Sequence, residues 1–305
     1  MAIQKPSFDP GLTQQVTGNL RRAIDKDGGF NVEREGGSWR NIHPYLHLIS
    51  MSWGAFLGIV VVAYLIVNLI FALIYFALGP GHLAGGDASS EGMRFLNAFF
   101  FSAHTLTTVG YGNVAPSSVS ANAIAALEAM VGLMGFALAT GVLFGRVSRP
   151  SAKIGFSDNM LVAPYQGGTS LQFRIVNLRP NVLIEISASI MLMTVEGGQR
   201  KYAALTLERN NIYFFPLTWT IVHPIDETSP VFGKTAAELE LLQAEVLILI
   251  KGFDDTFSQT VNARYSYRYD EFVWDAKFVP AFHVDPEGRM VLELDGVSRY
   301  QAVAR

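Results

Sequence analysis

The chain has 305 residues, of which 50% are hydrophobic and only 16% are charged, and its mean hydropathy is +0.27. Soluble domains usually carry nearer a quarter charged residues, so the composition argues against an entirely water-soluble protein. The formal net charge of −3 gives no support to a nucleic-acid-binding protein. The absence of cysteine excludes disulfides, thiolate metal sites and cysteine nucleophiles.

The N-terminal part, residues 1–50, ends in a pattern typical of an amphipathic helix. Four apolar residues recur there at helical spacing: Trp39, Ile42, Leu46 and Ile49. A helix of this kind lies flat at a membrane surface, although a plain soluble helix can have the same pattern. The first residues of the chain lack the apolar core of a signal peptide.

Residues 51–78 predict a first membrane-spanning helix. The stretch is apolar and contains no charged side chain, and about 20 such residues let a helix cross roughly 30 Å of hydrocarbon. The core helix of a soluble protein would rarely remain uncharged over such a length. The chain is therefore predicted to be a membrane protein.

A shorter apolar segment, residues 94–106, follows the first span. It is too short to cross the membrane and predicts a re-entrant helix. Non-helical backbone survives inside a membrane only where protein buries it or where it lines a water-filled path. The polar, Gly-rich stretch after this helix should therefore line such a path.

That stretch reads TVGYG and predicts a potassium selectivity filter formed by Thr108, Val109, Gly110, Tyr111 and Gly112. Rings of carbonyl oxygens replace the hydration shell of K⁺ in such filters, and glycine tolerates the dihedral angles that point successive carbonyls at one axis. We expect K⁺ to bind at residues 108–111, with Val109 and Tyr111 bracing the loop from behind. One copy cannot surround an ion, so four chains are required.

Residues 119–144 predict the second membrane-spanning helix. The segment is rich in Gly and Ala, as expected for helices that pack closely in lipid. Its one acid, Glu128, should face protein or water, because a carboxylate rarely faces lipid. Two roles remain open for Glu128: a structural hydrogen bond behind the pore loop, which we favour, and direct contact with a permeating ion.

Three residues of the second span share one face. At about 100° per residue, they fall within an arc of about 80°: Phe136, Thr140 and Phe144. This face can line a pore, or it can pack against the first span.

The distribution of basic residues predicts the orientation in the membrane. Arg34 and Arg40 precede the first span, a group of three follows the second (Arg146, Arg149 and Lys153), and the intervening loop contains only Arg94. Because basic residues accumulate on the cytoplasmic side, both termini should be cytoplasmic. The bases near the spans can also attract anionic lipid.

The last part of the chain, residues 149–305, predicts a β-rich domain. Short runs of alternating apolar and polar residues are separated by turn signals such as RPN, EGG and DPEG. This pattern favours an antiparallel β-sandwich. The predicted organisation is thus an N-terminal part (1–50), a transmembrane pore domain (51–148) and a cytoplasmic domain (149–305).

Several motifs resemble those of inward-rectifier potassium channels, in particular the prokaryotic branch. They are AFFFS at 98–102, Arg149-Pro150, Phe173-Arg174, HPIDETSP at 223–230 and ARYSY at 263–267. The resemblance implies a membrane α plus β fold with an immunoglobulin-like cytoplasmic β-sandwich, and a homotetramer in the cell inner (plasma) membrane. It also implies a slide helix before the first span, K⁺ as the conducted ion, no covalent cofactor, no nucleic-acid partner and no catalysed reaction.

The resemblance also assigns roles to single residues. Positions matching Phe136, Thr140 and Phe144 face the cavity and the gate, and strong rectifiers have an acid at the position of Phe136, which governs block by Mg²⁺ or polyamines. Bases near the second span bind phosphoinositides, which implicates Arg40, Arg146, Arg149 and Lys153. The family often has Glu where this chain has His104, so His104 and Glu128 are the candidate supports of the filter.

Two other functions remain open from the sequence. The chain could be a subunit of a potassium transporter, although such proteins usually have four looser filter repeats in one chain. It could also be a membrane-anchored sensor in which the β-sandwich binds a ligand and conduction is secondary.

Overall fold

The structure is a computed structural model that describes residues 11–12, 21–33, 35–36, 43–87, 89–148 and 152–303. The chain divides into two compact units. One consists of residues 35–149, and the other combines residues 1–34 with residues 150–305.

The first unit contains the apolar segments of the sequence. Its elements in chain order are α1 (Pro44–Ser50), α2 (Trp53–Leu78), β1 (Leu83–Gly85), α3 (Glu91–Leu106), β2 (Val114–Pro116) and α4 (Val119–Val147). Helices α2 and α4 are long and apolar enough to cross a membrane, and α3 is the short helix between them. Two predicted spans and a helix between them are confirmed.

Serine side chains set where the three longer helices begin. Ser52 accepts a hydrogen bond from the Ala55 amide at 3.3 Å, and Ser90 and Ser118 cap α3 and α4 in the same way. An N-cap side chain satisfies one of the amides that a helix start leaves unpaired. Helix α2 therefore starts two residues later than predicted, while α3 starts three residues earlier than predicted.

Most apolar side chains of α2 and α4 are not buried within the chain. Leucine, isoleucine and valine side chains on α2 are largely exposed, including Leu57, Val61, Val62, Leu65 and Ile66. A helix in water would bury such a face in a core. The exposed apolar surface is the expected surface of a helix that lies in lipid.

The predicted amphipathic helix is short in the described part of the chain. Helix α1 spans only Pro44–Ser50 and includes Leu46 and Ile49, while His43 is its N-cap. The residues Trp39, Arg40 and Ile42 lie outside the described residues.

The second unit is built of strands. They are β3 (Ile154–Phe156), β4 (Met160–Tyr165), β5 (Gly168–Asn177), β6 (Leu183–Glu196), β7 (Gln199–Leu205), β8 (Asn211–Phe214), β9 (Thr218–Ile225), β10 (Glu245–Asp254), β11 (Gln259–Arg268), β12 (Phe272–Trp274), β13 (Ala276–Phe278), β14 (Phe282–Val284), β15 (Met290–Leu292) and β16 (Tyr300–Ala302). A short helix, α5 (Ala236–Leu241), precedes β10.

The strands form two five-stranded sheets and two short ribbons. One sheet has the order β11-β10-β6-β7 with β8 also on β6, and the other has the order β12-β4-β5-β3 with β9 also on β5. Pairing is antiparallel except between β12 and β4, which run parallel. This edge pair differs from the prediction of a fully antiparallel sandwich.

The core lies between the two sheets. Met160, Phe173 and Ile221 come from one sheet and Ile186 and Ile248 from the other, and all are fully buried in one cluster. Two sheets packed over a shared apolar core make a β-sandwich, so the predicted fold class is confirmed.

Part of the N-terminal region packs on the β-sandwich. The Ser266 hydroxyl donates to the Ile24 carbonyl at 2.8 Å, and the Glu245 carboxylate accepts from the Ala23 amide at 3.0 Å. Arg22 and Lys26 both form ion pairs with Glu271. Residues 21–33 therefore belong to the same unit as the sandwich.

Candidate functional site

Backbone hydrogen bonds attach the loop after α3 to the C-terminal end of that helix. The His104 carbonyl accepts from the Val109 amide at 2.9 Å and from the Gly110 amide at 3.2 Å, and the Thr105 carbonyl accepts from the Thr108 amide at 3.0 Å. Free carbonyls at a helix C-terminus are satisfied in this way by the residues that follow. The position of α3 therefore determines where the loop lies.

The backbone of the loop alternates between ordinary and left-handed conformations. Gly110 has φ of +55° and Gly112 has φ of +82°, a region that glycine enters without a steric penalty. Thr108 also has a positive φ, of +58°, which is uncommon for a β-branched residue. The sequence predicted unusual dihedral angles for the two glycines but not for Thr108.

His104 contacts the loop through its side chain as well. Its imidazole ring packs edge-on against the Tyr111 ring, with 4.9 Å between the centroids. In the single chain Tyr111 and Val109 remain exposed. The His104 contact is consistent with the predicted bracing role of Tyr111, and a bracing role for Val109 would require neighbours beyond this one chain.

A two-stranded ribbon anchors the far end of the loop. Strand β1 pairs antiparallel with β2, so that Gly85 faces Val114, two residues after the predicted filter sequence. The Ser117 amide donates to the His82 carbonyl at 3.0 Å, and the His82 ring contacts the Ser118 hydroxyl at 2.7 Å. The sequence reasoning missed this ribbon, because three-residue strands carry no periodic signal.

Glu128 is fully buried inside the first unit. Its carboxylate accepts a hydrogen bond from the Tyr75 hydroxyl at 2.7 Å and another from the Ser102 hydroxyl. These partners belong to α2 and α3, so one side chain of α4 contacts both of these helices.

One turn further along α4, the backbone of Gly132 lies against the end of α3. A Cβ atom added at Gly132 would lie 2.1 Å from the Leu106 carbonyl oxygen. Only glycine allows an approach this close.

The predicted pore-lining residues lie on an open face of α4. The side chains of Phe136 and Phe144 are 73% and 72% exposed in the single chain, and Thr140 is exposed as well. They therefore do not pack against α2, which was the alternative interpretation of this face.

The predicted lipid-binding bases have different surroundings. Arg146 is engaged within the chain: its guanidinium donates to the Leu48 and Met51 carbonyls and lies 4.7 Å from the Trp53 ring. Lys153 is exposed. Arg40 and Arg149 lie outside the described residues.

Comparison with known proteins gives matches along most of the chain. Residues 154–304 match the family model of the inward rectifier potassium channel C-terminal domain, and residues 54–149 match an ion channel model. Inward rectifier potassium channel Kirbac3.1 of Paramagnetospirillum magnetotacticum is 36% identical over 283 residues, which cover 90% of this chain and 93% of that protein. The chain belongs to the inward rectifier potassium channel family.

More distant members of this family are found in animals. Human G protein-activated inward rectifier potassium channel 3 is 28% identical over 91% of this chain and 77% of its own length. ATP-sensitive inward rectifier potassium channel 12 of Mus musculus is 27% identical over 85% of this chain and 67% of its own length. A solved structure of the Pseudomonas fluorescens DNA glycosylase AlkC aligns with a TM-score of only 0.21 and 12% identity, over 61% of this chain and 48% of its own.

Two family motifs of the β-sandwich serve its packing. The Arg174 guanidinium lies over the Phe278 ring at 4.5 Å and donates to the Val279 carbonyl at 2.8 Å. His223 contacts the Ser229 hydroxyl at 2.8 Å, and burial lowers its pKa. A neutral His223 is therefore favoured in the folded inward rectifier domain.

Proposed function

We propose that the chain is one subunit of a homotetrameric, K⁺-selective channel whose filter is formed by residues 108–112. The observation that carries the proposal is the left-handed backbone at Gly110 and Gly112, in a loop that hangs from a short helix between two candidate membrane spans. Four such loops around one axis would present the carbonyl rings that K⁺ requires. K⁺ would bind at residues 108–111, and the protein would catalyse no reaction.

The same proposal includes the organisation and orientation of the chain. Residues 51–148 would form the pore, residues 1–50 would precede it, and residues 149–305 would form a regulatory domain. Both termini would lie in the cytoplasm and the spans in the cell inner (plasma) membrane, as the distribution of basic residues favours. His104 and Glu128 would support the filter.

Uptake of radioactive rubidium into liposomes tests this function against its rivals. Purified protein should support uptake driven by a K⁺ gradient, with exclusion of Na⁺. A transporter subunit would require a coupling ion or an additional chain, and a membrane-anchored sensor with secondary conduction would give only weak uptake. Absence of uptake from correctly assembled protein would contradict the proposal.

Phe144 is proposed as the gate. Four Phe144 rings near the cytoplasmic end of α4 could close the path to hydrated ions by excluding water. Phe144→Ala should therefore raise the open probability or the leak, measured in bilayer recordings. Phe144→Leu, which keeps a large apolar side chain, should have a smaller effect than Phe144→Ala. A closed state unaltered in Phe144→Ala would contradict the assignment.

Phe136 is proposed as the residue that makes rectification weak. A phenylalanine ring attracts a cation by only about 0.5–1 kcal/mol at an exposed site, whereas a ring of carboxylates would hold polyamines or Mg²⁺. Internal spermine should therefore block the wild type weakly, and it should block the Phe136→Asp variant markedly more tightly. Equal block of both proteins would mean either that Phe136 lies off the pore wall or that Glu128 already supplies the polyamine site. Spermine block of Glu128→Gln in the same assay separates these two explanations.

Anionic phosphoinositides are proposed as the regulatory lipids. Each base near the membrane surface contributes about 1 kcal/mol toward anionic lipid. Because Arg146 already donates to the Leu48 and Met51 carbonyls, the contribution should come mainly from Arg40, Arg149 and Lys153. Rubidium flux should depend on phosphatidylinositol bisphosphate in liposomes of matched surface charge. Equal flux with and without that lipid would contradict the proposal.

A further inference from the structure

Four polar side chains are buried together in the first unit. Their exposed fractions are 2% or less, and they come from all three longer helices: Asn68 and Tyr75 on α2, Ser102 on α3 and Glu128 on α4. Buried polar groups are costly in a membrane unless they bond to one another. The cluster is therefore a specific feature of this chain that needs a physical account.

The hydrogen bonds of the cluster converge on one carboxylate. One oxygen of Glu128 accepts from the Tyr75 hydroxyl at 2.7 Å, and the other accepts from the Ser102 hydroxyl. The Ser102 hydroxyl is also 3.1 Å from the backbone carbonyl oxygen of Asn68. Tyr75 packs against Phe101 of α3, with 5.0 Å between ring centroids. We call Tyr75, Ser102 and Glu128 the polar clasp.

The polar clasp acts on the part of α3 that carries the filter. Ser102 lies two residues before His104, whose carbonyl accepts from the Val109 and Gly110 amides. Ser102 and Leu106 are one helical turn apart on α3, and their partners Glu128 and Gly132 are one turn apart on α4. Two contacts with this spacing fix both the rotation and the depth of α3 against α4.

The alternative, direct contact of Glu128 with an ion, requires an open carboxylate. Glu128 is 0% exposed in the single chain, and both of its oxygens already accept hydrogen bonds from Tyr75 and Ser102. An ion in the pore would therefore not reach the carboxylate while the polar clasp is formed.

We propose that Glu128 is a positioning residue that acts through Ser102 and Tyr75 to hold α3, and thereby the carbonyls of the filter, in register. This inference rests on the proposed function and deepens it. It assigns the effect of Glu128 to hydrogen bonding and not to negative charge.

The experiment compares Glu128→Ala with Glu128→Gln in reconstituted protein. Glutamine keeps one acceptor for the Ser102 hydroxyl and offers an N–H to the Tyr75 hydroxyl, so it preserves the clasp without the charge. Loss of buried hydrogen bonds should lower the K⁺ over Na⁺ permeability ratio of Glu128→Ala by about tenfold or more. The ratio of Glu128→Gln should stay within about threefold of the wild type.

Double variants test whether the three residues act as one unit. Ser102→Ala and Tyr75→Phe should each lower the permeability ratio in the wild-type background, and should add nothing in the Glu128→Ala background. Asn68→Leu is the matched control, because it removes a buried polar side chain that makes no bond to Glu128 in the described part of the chain. Its permeability ratio should equal that of the wild type.

Three outcomes would overturn the inference. They are an unchanged ratio in Glu128→Ala, an equal loss in Glu128→Gln and Glu128→Ala, and additive effects of Ser102→Ala in the Glu128→Ala background. If Glu128→Ala does not assemble, Ser102→Ala with Tyr75→Phe decides, since both retain the carboxylate, and wild-type selectivity in that pair overturns the inference. A wild type without K⁺ selectivity would contradict the proposed function itself.

Discussion

Replacing Gly110 by alanine should abolish K⁺-selective flux while leaving assembly of the protein largely intact. Gly110 has φ of +55°, a conformation that costs an L-residue with a side chain about 1–2 kcal/mol. No atom lies within 4 Å of an added Cβ in the single chain, so the backbone penalty is what the substitution adds there. In the proposed tetramer the penalty would be repeated in each of four chains, and relaxation of the backbone would turn carbonyls away from K⁺. Rubidium uptake with and without competing Na⁺ measures the effect.

Gly58→Ala is the matched control for this prediction. Gly58 lies inside α2, where alanine is favoured over glycine, and an added Cβ there also meets no atom within 4 Å. Its flux and selectivity should equal those of the wild type. Unchanged selectivity of K⁺ over Na⁺ in Gly110→Ala would count decisively against the filter assignment.

Gly132→Ala should reduce flux by about tenfold or more, because overpacking typically costs about 1–3 kcal/mol and each chain of the proposed tetramer would bear it. The added Cβ would lie 2.1 Å from the Leu106 carbonyl oxygen, a backbone atom that cannot rotate away. Either α3 or α4 must shift, and a shift of α3 moves the carbonyls from which the filter loop hangs. Flux is measured per assembled oligomer, so that a loss of assembly is not counted as a loss of conduction.

Gly135→Ala, one turn away on α4, separates packing from helix propensity. An added Cβ at Gly135 meets no atom within 4 Å in the chain, so this variant should retain wild-type flux. Equal flux in Gly132→Ala and Gly135→Ala would show that the close approach of Gly132 to Leu106 does not affect conduction.

The helices of the first unit could be predicted because their sequence signals are local. An uncharged run long enough to cross lipid, a shorter apolar run and a Gly-rich TVGYG string each leave a pattern in consecutive residues. The β-sandwich was predictable for the same reason, from alternation and turn residues. The short length of residues 94–106 is what led to the prediction of a re-entrant helix there.

Features that depend on contacts between distant residues could not be predicted. The partners of Glu128 lie 53 and 26 residues away in the chain, and no pattern in the sequence relates them. Arg146 was predicted to bind anionic lipid, and no local pattern indicated that its guanidinium also donates to the Leu48 and Met51 carbonyls, which the end of α1 leaves otherwise unpaired. The β1–β2 ribbon and the parallel β12–β4 pair depend likewise on tertiary structure.

The most direct test of K⁺ selectivity is a reversal potential under bi-ionic conditions. Purified wild-type protein in a planar bilayer would face K⁺ on one side and Na⁺ on the other. The filter proposed at residues 108–112 predicts a reversal potential displaced strongly in the direction set by K⁺ permeation. A reversal potential near zero, from channels that conduct both ions, would contradict it.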